Sequence, residues 1–287
     1  MVEDVGSEVT TVRRGDFVVA PFALSDGTCA HCRHGVQTSC ERGAAWGATD
    51  RDGYLVDGGQ GEAVRVAMAD GTLVAVPGHP DDAMLPSLLA LSDVMGTGHH
   101  AALAAGVGPG QTVVVVGDGA VGLCAVLAAR RLGAERVIAM SRHTARQAVA
   151  LDLGADDVVA ERGEEGVARI EEAHRRRGRR RGARVRRHEG VDGAGDRRDA
   201  ARWPRRVRRG AGRRRRAADR AACSPTTSRS AAASRRCGST CPSLLEDVLS
   251  GAIEPGKVFD VELPLSEVAT AYTAMDQRTA IKTLLRP

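Results

Sequence analysis

Aromatic residues are scarce in this chain of 287 residues. Two Trp, two Tyr and three Phe make up 2% of the sequence, too few planar side chains for a surface that stacks nucleic-acid bases. Long apolar runs are also missing, since no 18 consecutive residues are apolar. Together with the acidic start Met-Val-Glu-Asp, this predicts neither a membrane-spanning helix nor a signal peptide. We therefore expect a cytoplasmic protein with no membrane partner.

Lysine is absent from one long segment. Residues 174–237 hold 24 Arg against five acidic residues, and Leu, Ile and Phe are absent from 174–242. Acidic residues outnumber basic ones in the remainder, although the whole chain carries a net charge of +5. The segment has neither a strand nor a helix period, and a sheet cannot bury arginine-dense strands without unpaired charge. We expect disorder from about residue 173.

The cysteine pattern indicates a metal site. The chain has seven Cys, an odd number, and Cys29, Cys32 and Cys40 lie close together, which suits a reducing compartment and a metal better than a disulfide framework. A C-x2-C turn presents two thiolates, and a third Cys can supply another corner of a tetrahedron. Asp26 is the candidate fourth ligand, with His31 and His34 as competitors. Unligated thiols are the alternative. A site with four protein ligands would be structural.

The stretch Val113–Gly122 reads V-V-V-V-G-D-G-A-V-G. Four β-branched residues in a row predict a strand buried on both faces. Gly117, Gly119 and Gly122 follow in the spacing G-x-G-x-x-G, which allows a tight turn, the approach of a pyrophosphate and close packing of the next helix. A glycine-rich turn without a nucleotide is the alternative.

The residues after this turn predict half of a dinucleotide-binding sheet. We expect a helix over 120–132, a strand over 136–140, a second helix over 144–153 and a third strand over 157–160. The second strand runs into Ser141-Arg142-His143 with no acid for a ribose 2′-hydroxyl. An Arg at that turn can pair with a 2′-phosphate, so the residues favour NADP(H). The alternative is that Arg142 is a solvated surface residue.

Weaker patterns flank this region. Residues 2–24 predict short antiparallel strands around the turn Gly15-Asp16. Residues 50–76 are β-rich, 81–105 are mainly helical, and 258–264 predict a strand. We expect a helix that is capped by Ser266 and whose core-facing side chains are those of Val268, Tyr272 and Met275.

In their order, the cysteine turn, the segment Asp93–Gly98 (D-V-M-G-T-G), the glycine fingerprint and the tail Ala280–Leu285 (A-I-K-T-L-L) resemble the zinc-dependent medium-chain alcohol dehydrogenases. The resemblance covers roughly 1–170 and 243–287. It implies an α/β protein with a GroES-like β lobe and a Rossmann doubly wound parallel sheet whose second half is disrupted here. The implied domains are a truncated catalytic lobe over 1–95, a dinucleotide-binding domain over 96–238, and a return to the catalytic lobe over 239–287.

The resemblance also implies site residues. The family's structural zinc takes C-x2-C-x2-C-x7-C, whereas this chain has Asp26 in the first position, which implies weaker zinc binding. Asp93 matches a ligand of the catalytic zinc, although an Asp at that place can also cap the helix that follows. The other catalytic ligands are missing, so we expect an N-terminally truncated chain. Their possible substitutes are His79, His99 and His100. Thr97 and Lys282 match positions that touch the cofactor.

The function implied is hydride transfer between NADP(H) and a small alcohol or carbonyl substrate, by a possible homo-oligomer. We expect it to be impaired in this chain. Our hypothesis for the arginine-rich segment is translation out of frame, with the frame restored near 241–243, because GC-rich codons read out of frame yield mainly Arg, Ala, Gly and Pro. The alternative is an inactive relic whose basic segment binds nucleic acid through counterion release, without sequence preference.

Overall fold

The structure, a computed structural model, describes residues 1–50, 52–175, 184–186 and 237–287. Most of the segment for which we predicted disorder and translation out of frame lies outside these residues. No helix among the described residues is long and apolar enough to cross a membrane.

The N-terminal part consists of short strands and helices joined by long loops. Its strands pair across distance rather than as the expected local hairpin: the first pairs antiparallel with the fourth and the second with the third. Among the described residues of the run 50–76, strand structure is found only at its end, apart from an isolated bridge between Thr49 and Leu55. The elements are β1 (Phe17–Val19), β2 (Ala23–Leu24), α1 (Ala30–Arg33), β3 (Ala44–Ala45), α2 (Ala69–Thr72) and β4 (Val74–Val76).

Two helices lead into the central sheet, as predicted for 81–105. They are α3 (Leu85–Ala90) and α4 (Val94–Ala104). A Cβ on Gly98 would lie 2.7 Å from the backbone nitrogen of Ala125. This glycine therefore lets α4 cross the fingerprint helix at close range.

The central sheet is parallel, and among the described residues its strands lie in the order β7 (Asp157–Val159), β6 (Arg136–Met140), β5 (Thr112–Val116) and β8 (Arg184–Arg186). Its first three strands and two helices match the predicted boundaries to within one residue. All five residues of β6 are buried, as expected of a strand covered on both faces. The elements are β5 (Thr112–Val116), α5 (Ala120–Arg131), β6 (Arg136–Met140), α6 (Thr144–Asp152), β7 (Asp157–Val159), α7 (Gly163–Arg175) and β8 (Arg184–Arg186).

The C-terminal segment returns to the first part of the chain. Its last two strands pair in parallel, and Leu244, Leu245 and Val248 join the core cluster that contains the sheet residues and Val19. The helix near 266 differs from our expectation. Ser266 lies inside a 3-10 turn rather than at the cap, and Tyr272 is 53% exposed, while Ala271 is buried. The elements are α8 (Cys237–Leu249), β9 (Val261–Pro264), α9 (Val268–Asp276) and β10 (Thr283–Arg286).

Candidate functional site

The glycine fingerprint forms a tight turn between β5 and α5. Gly117 has a φ of +117°, a conformation that L side chains rarely adopt. A Cβ on Gly122 would lie 2.2 Å from the carbonyl oxygen of Gly117, whereas a Cβ on Gly119 would meet nothing within 4 Å. The turn is therefore closed on its inner side and open above Gly119, where the N-terminus of α5 presents its unpaired N–H groups. This is the shape that a pyrophosphate requires.

Ser141 and Arg142 lie at the carboxyl end of β6, beside this turn. Ser141 is fully buried and its hydroxyl donates to Oδ2 of Asp118 at 2.9 Å. Arg142 is exposed. A third residue, Arg146, lies nearby: its Nη1 is 3.7 Å from Oδ1 of Asp118 and its Nη2 donates to the carbonyl oxygen of Ala280 at 2.9 Å.

Asp93 and Lys282 both lie within electrostatic reach of α5. The pKa of the Cys124 thiol is raised to about 12, chiefly by burial, with the negative charge of Asp93 adding to the rise and Lys282 opposing it. Asp93 stands at the N-cap position of α4, but its carboxylate makes no capping bond. Instead its Oδ1 accepts a hydrogen bond from the Thr97 hydroxyl at 3.0 Å.

The four residues of the cysteine turn come together. The ligand atoms of Asp26, Cys29, Cys32 and Cys40 all lie within 4.8 Å of one another, and the sulfurs of Cys29 and Cys40 are 3.9 Å apart. Tetrahedral zinc with Zn–S bonds of about 2.3 Å separates sulfurs by about 3.8 Å. Three thiols and one carboxylate at this spacing therefore fit a zinc ion.

The local charges of this cluster follow from its hydrogen bonds. Backbone N–H groups of Cys29 and Thr28 hold the pKa of Asp26 well below its usual range, and backbone hydrogen bonding, led by Glu41, lowers the pKa of Cys29. Burial raises the pKa of Cys32 to about 12. A bound cation would reverse that effect, because a coordinating thiol is deprotonated.

A second layer holds the cluster in place. The Ser25 hydroxyl donates to the carbonyl oxygen of Gly71 at 2.5 Å, and a Cβ on Gly71 would lie 2.3 Å from the backbone nitrogen of Gly27. Next to Gly71, the carboxylate of Asp70 accepts bonds from the backbone and hydroxyl groups of Thr10 and Thr11. Through α2, residues 10–11 are thus fixed to the cysteine turn.

Within the described part of the chain, no histidine belongs to the ligand cluster of Asp26 and the three cysteines. His34 bonds the carbonyl oxygen of Ala30 through Nδ1, while His31 and His79 are exposed. His99 is buried and its Nε2 lies 3.2 Å from Nη1 of Arg131. Among the described residues, the one cluster of three or more potential metal ligands is that of Asp26 and the three cysteines, and Asp93 belongs to no such cluster.

Comparison with known proteins agrees with this arrangement. Residues 1–78 match the alcohol dehydrogenase GroES-like domain, and residues 120–193 match the zinc-binding dehydrogenase domain. The chain belongs to the zinc-binding medium-chain alcohol dehydrogenase family. The predicted α/β fold, with a GroES-like lobe and a Rossmann-like parallel sheet, is therefore confirmed.

Curated relatives match part of this chain. A glutathione-independent formaldehyde dehydrogenase from Pseudomonas aeruginosa is 41% identical over 145 residues, which are 48% of this chain and 36% of the relative. Zinc-type alcohol dehydrogenase B from Aspergillus flavus is 33% identical over 184 residues, 62% of this chain and 41% of the relative. The matched part is thus less than half of each of these relatives.

Solved structures match over nearly the whole chain. The alcohol dehydrogenase from Thermus sp. ATN1 superposes with a TM-score of 0.66 at 25% identity, covering 99% of this chain and 80% of its own. The zinc-dependent alcohol dehydrogenase 2 from Streptococcus pneumonia gives 0.68 at 26% identity, covering 96% and 76%.

Sequence reasoning missed one residue of the candidate cofactor site. We looked for an acid at the end of β6, and the structure brings one to that place from the fingerprint turn itself, Asp118. The signal was its position between the two closely spaced glycines, since a side chain there projects toward the end of the neighbouring strand.

Proposed function

We propose that this dehydrogenase-family chain binds a nicotinamide dinucleotide across the carboxyl ends of β5 and β6. The turn over Gly117, Gly119 and Gly122 would hold the pyrophosphate. The open space above Gly119, beside a turn that tolerates no side chain at Gly122, is the observation that carries the proposal. Thr97 and Lys282 would contact the rest of the cofactor.

NADP(H) is the proposed form of this cofactor. Arg142 is exposed at the end of β6, beside the glycine turn, and can pair with a 2′-phosphate. Ser141 can turn its hydroxyl toward the same phosphate. Preference for NADPH over NADH in a binding titration tests this assignment. Tighter binding of NADH would overturn it.

The second part of the proposal is a structural zinc in the cysteine turn. Asp26, Cys29, Cys32 and Cys40 fill all four positions of a tetrahedron, so that no position remains open for substrate. The ion would fix the loop between β2 and β3. Measurement of metal content by mass spectrometry should find about one zinc per chain.

The proposed reaction is hydride transfer from an alcohol to NADP+, which yields the corresponding aldehyde or ketone and NADPH, and the reverse of this step. A catalytic zinc supplies Lewis-acid polarisation of the substrate oxygen when it is bound, and Asp93 is the residue proposed to hold it. An open zinc site needs three protein ligands, whereas among the described residues Asp93 belongs to no group of three potential ligands. We therefore propose that turnover by this chain is impaired.

One experiment tests these proposals together. Formaldehyde is the first substrate to try, given the formaldehyde dehydrogenase among the relatives, and ethanol and a ketone would follow. We expect zinc in the structural site and nucleotide binding, with little reduction of NADP+ by formaldehyde or ethanol and little oxidation of NADPH by the ketone. Turnover at the rate of an intact dehydrogenase, with two zinc ions per chain, would contradict impairment. Absence of both nucleotide and zinc would contradict the whole proposal.

The remaining expectations stay predictions. Homo-oligomerisation and a cytosolic location rest on the family resemblance and on cysteine usage. Non-specific binding of nucleic acid rests on the arginine-rich segment, most of which lies outside the described residues. A filter-binding titration with salt would separate that activity from the dehydrogenase function, because counterion release makes it steeply salt-dependent.

A further inference from the structure

Asp118 lies where a dinucleotide site distinguishes its two cofactors. It follows Gly117 at the carboxyl end of β5, and its side chain is 15% exposed. Its Oδ2 accepts the hydroxyl proton of Ser141 at 2.9 Å, so the carboxylate stands against the last residue of β6. This inference rests on the proposed nucleotide site and concerns its selectivity.

Arg146 faces the same carboxylate from α6. Its side chain is 11% exposed, and the 3.7 Å between its Nη1 and Oδ1 of Asp118 makes an ion pair that is too long for a hydrogen bond. The strongest bond of this guanidinium goes to the carbonyl oxygen of Ala280 at 2.9 Å. The Oδ1 atom of Asp118 therefore keeps lone pairs for a ligand, while the arginine compensates its charge.

The two cofactors present opposite chemistry at this point. The 2′-hydroxyl of NAD(H) is a donor that a carboxylate accepts, as the acid at the end of the second strand does in NAD-type sites. The 2′-phosphate of NADP(H) carries nearly two negative charges and only acceptor oxygens at neutral pH. In addition, the Ser141 hydroxyl has a single hydrogen to donate, and it donates this hydrogen to Asp118. It could donate to a phosphate only if its hydrogen bond to Asp118 were broken.

We propose that Asp118 is a specificity-determining residue that supplies, from the fingerprint turn, the acid missing at the end of β6. It accepts the ribose hydroxyl of NAD(H) and opposes the 2′-phosphate of NADP(H). Arg142 favours NADP(H), and Asp118 limits that preference. The chain should consequently bind both cofactors.

The test is the ratio of two dissociation constants in the full chain, measured by fluorescence titration with NADPH and NADH. In Asp118→Asn we expect the ratio of the NADPH constant to the NADH constant to fall about tenfold or more, since a hydrogen bond to a charged group is worth at least that factor. Competition by 2′,5′-ADP and 5′-AMP should shift in the same sense, because these probes contain only the adenosine half.

Asp152→Asn is the matched control. It makes the same change in charge at the last residue of α6, where the Asp152 side chain is 59% exposed and pairs with Lys257. Its ratio should equal that of the native chain. If Asp118→Asn does not fold, Asp118→Ser, which removes the charge and keeps a hydroxyl oxygen that can accept from Ser141, is read in the same way.

Three results would overturn the inference. The first is an unchanged ratio in the Asp118 variants. The second is an equal loss of both cofactors, which would show a structural role. The third is a ratio that moves as far in Asp152→Asn. If the native chain bound neither cofactor, the proposed function would fall as well, and that outcome is seen before any variant is made.

Discussion

Two alanine substitutions in the fingerprint separate the folding of the turn from nucleotide binding. In Gly122→Ala the new Cβ would lie 2.2 Å from the carbonyl oxygen and 2.9 Å from the carbonyl carbon of Gly117. Both atoms belong to the backbone, so no rotamer change relieves the contact. The turn must move by about 1 Å to reach an ordinary van der Waals distance.

The magnitude follows from two opposing effects. Replacing glycine by alanine inside a helix stabilises by about 1 kcal/mol, whereas overpacking costs about 1–3 kcal/mol and more where backbone must shift. The atoms that must move belong to Gly117, whose positive φ already restricts the turn. We therefore expect Gly122→Ala to lower the free energy of unfolding by about 2 kcal/mol. For a protein of this size that lowers Tm by about 4–8 °C, together with loss of nucleotide binding.

Gly119→Ala is the matched variant. Gly119 has a φ of −78°, which alanine adopts without strain, and its Cβ would meet nothing within 4 Å. The loss of an N-cap glycine and the lower entropy of the unfolded chain nearly cancel, so stability should change by less than about 1 kcal/mol. The methyl group nevertheless occupies the approach of the pyrophosphate, and nucleotide affinity should fall about tenfold, or ~1.4 kcal/mol.

The assays are thermal unfolding by circular dichroism and titration with NADPH and 2′,5′-ADP. A stable Gly122→Ala variant with native affinity would refute the geometry of the turn. A Gly119→Ala variant that binds nucleotide as tightly as the native chain would refute the placement of the pyrophosphate.

Other predictions concern the metal and acid stability. Cys29→Ser should lower the zinc content from about one ion per chain to well below half an ion per chain, whereas Cys124→Ala should keep the native zinc content. Equal loss of zinc in both variants would show that the cysteine turn is not the metal site. Burial and a neighbouring arginine hold the pKa of His99 at about 4, below its ordinary 6.5. Because the unfolded chain binds the proton more tightly, the free energy of unfolding should fall as the pH is lowered from 6.5 to 4. Unfolding curves of His99→Gln should lack that decrease, and an identical decrease in the variant would show that His99 does not cause it. Hydrogen bonds from two threonines lower the pKa of Asp70 from its ordinary 3.8. The contribution of this carboxylate to the stability of the fold is therefore complete above pH 3.8 and is lost as the pH falls further. Measurements of Tm against pH should show that Asp70→Asn is less stable than the native chain at pH 6 and less sensitive to acid below pH 4. Asp247→Asn should cost about 2 kcal/mol in chemical denaturation, because Asp247 pairs with Arg131; unchanged stability would show that this pair does not join α8 to α5.

Local sequence patterns predicted the nucleotide-binding half-sheet closely. The strand and helix boundaries over 112–159 agree to within one residue, because four β-branched residues in a row, a glycine fingerprint and a glycine after each helix are signals carried by neighbouring residues. The ligand spacing of the cysteine turn was also readable, since Cys29, Cys32 and Cys40 lie within 12 residues of one another.

Contacts between distant segments were not readable in this way. Tyr272 was expected inside because of its position on an apolar helical face, yet its hydroxyl donates to Oε1 of Gln60 at 2.6 Å on the surface. The strands predicted for residues 2–24 pair with later segments, β1 with β4 and β2 with β3. Nothing local distinguishes these partners from a hairpin neighbour.

The sequence by itself determined the family, the order of the elements and the residue types able to hold a dinucleotide and a zinc ion. Only the tertiary structure decided that Asp26 completes the cysteine cluster, that Asp93 belongs to no cluster of three potential ligands among the described residues, and that Asp118 reaches Ser141. The reason is physical. Spacing along a chain fixes which groups share a turn or a helix face, whereas charge and hydrogen bonding between segments depend on how those segments pack.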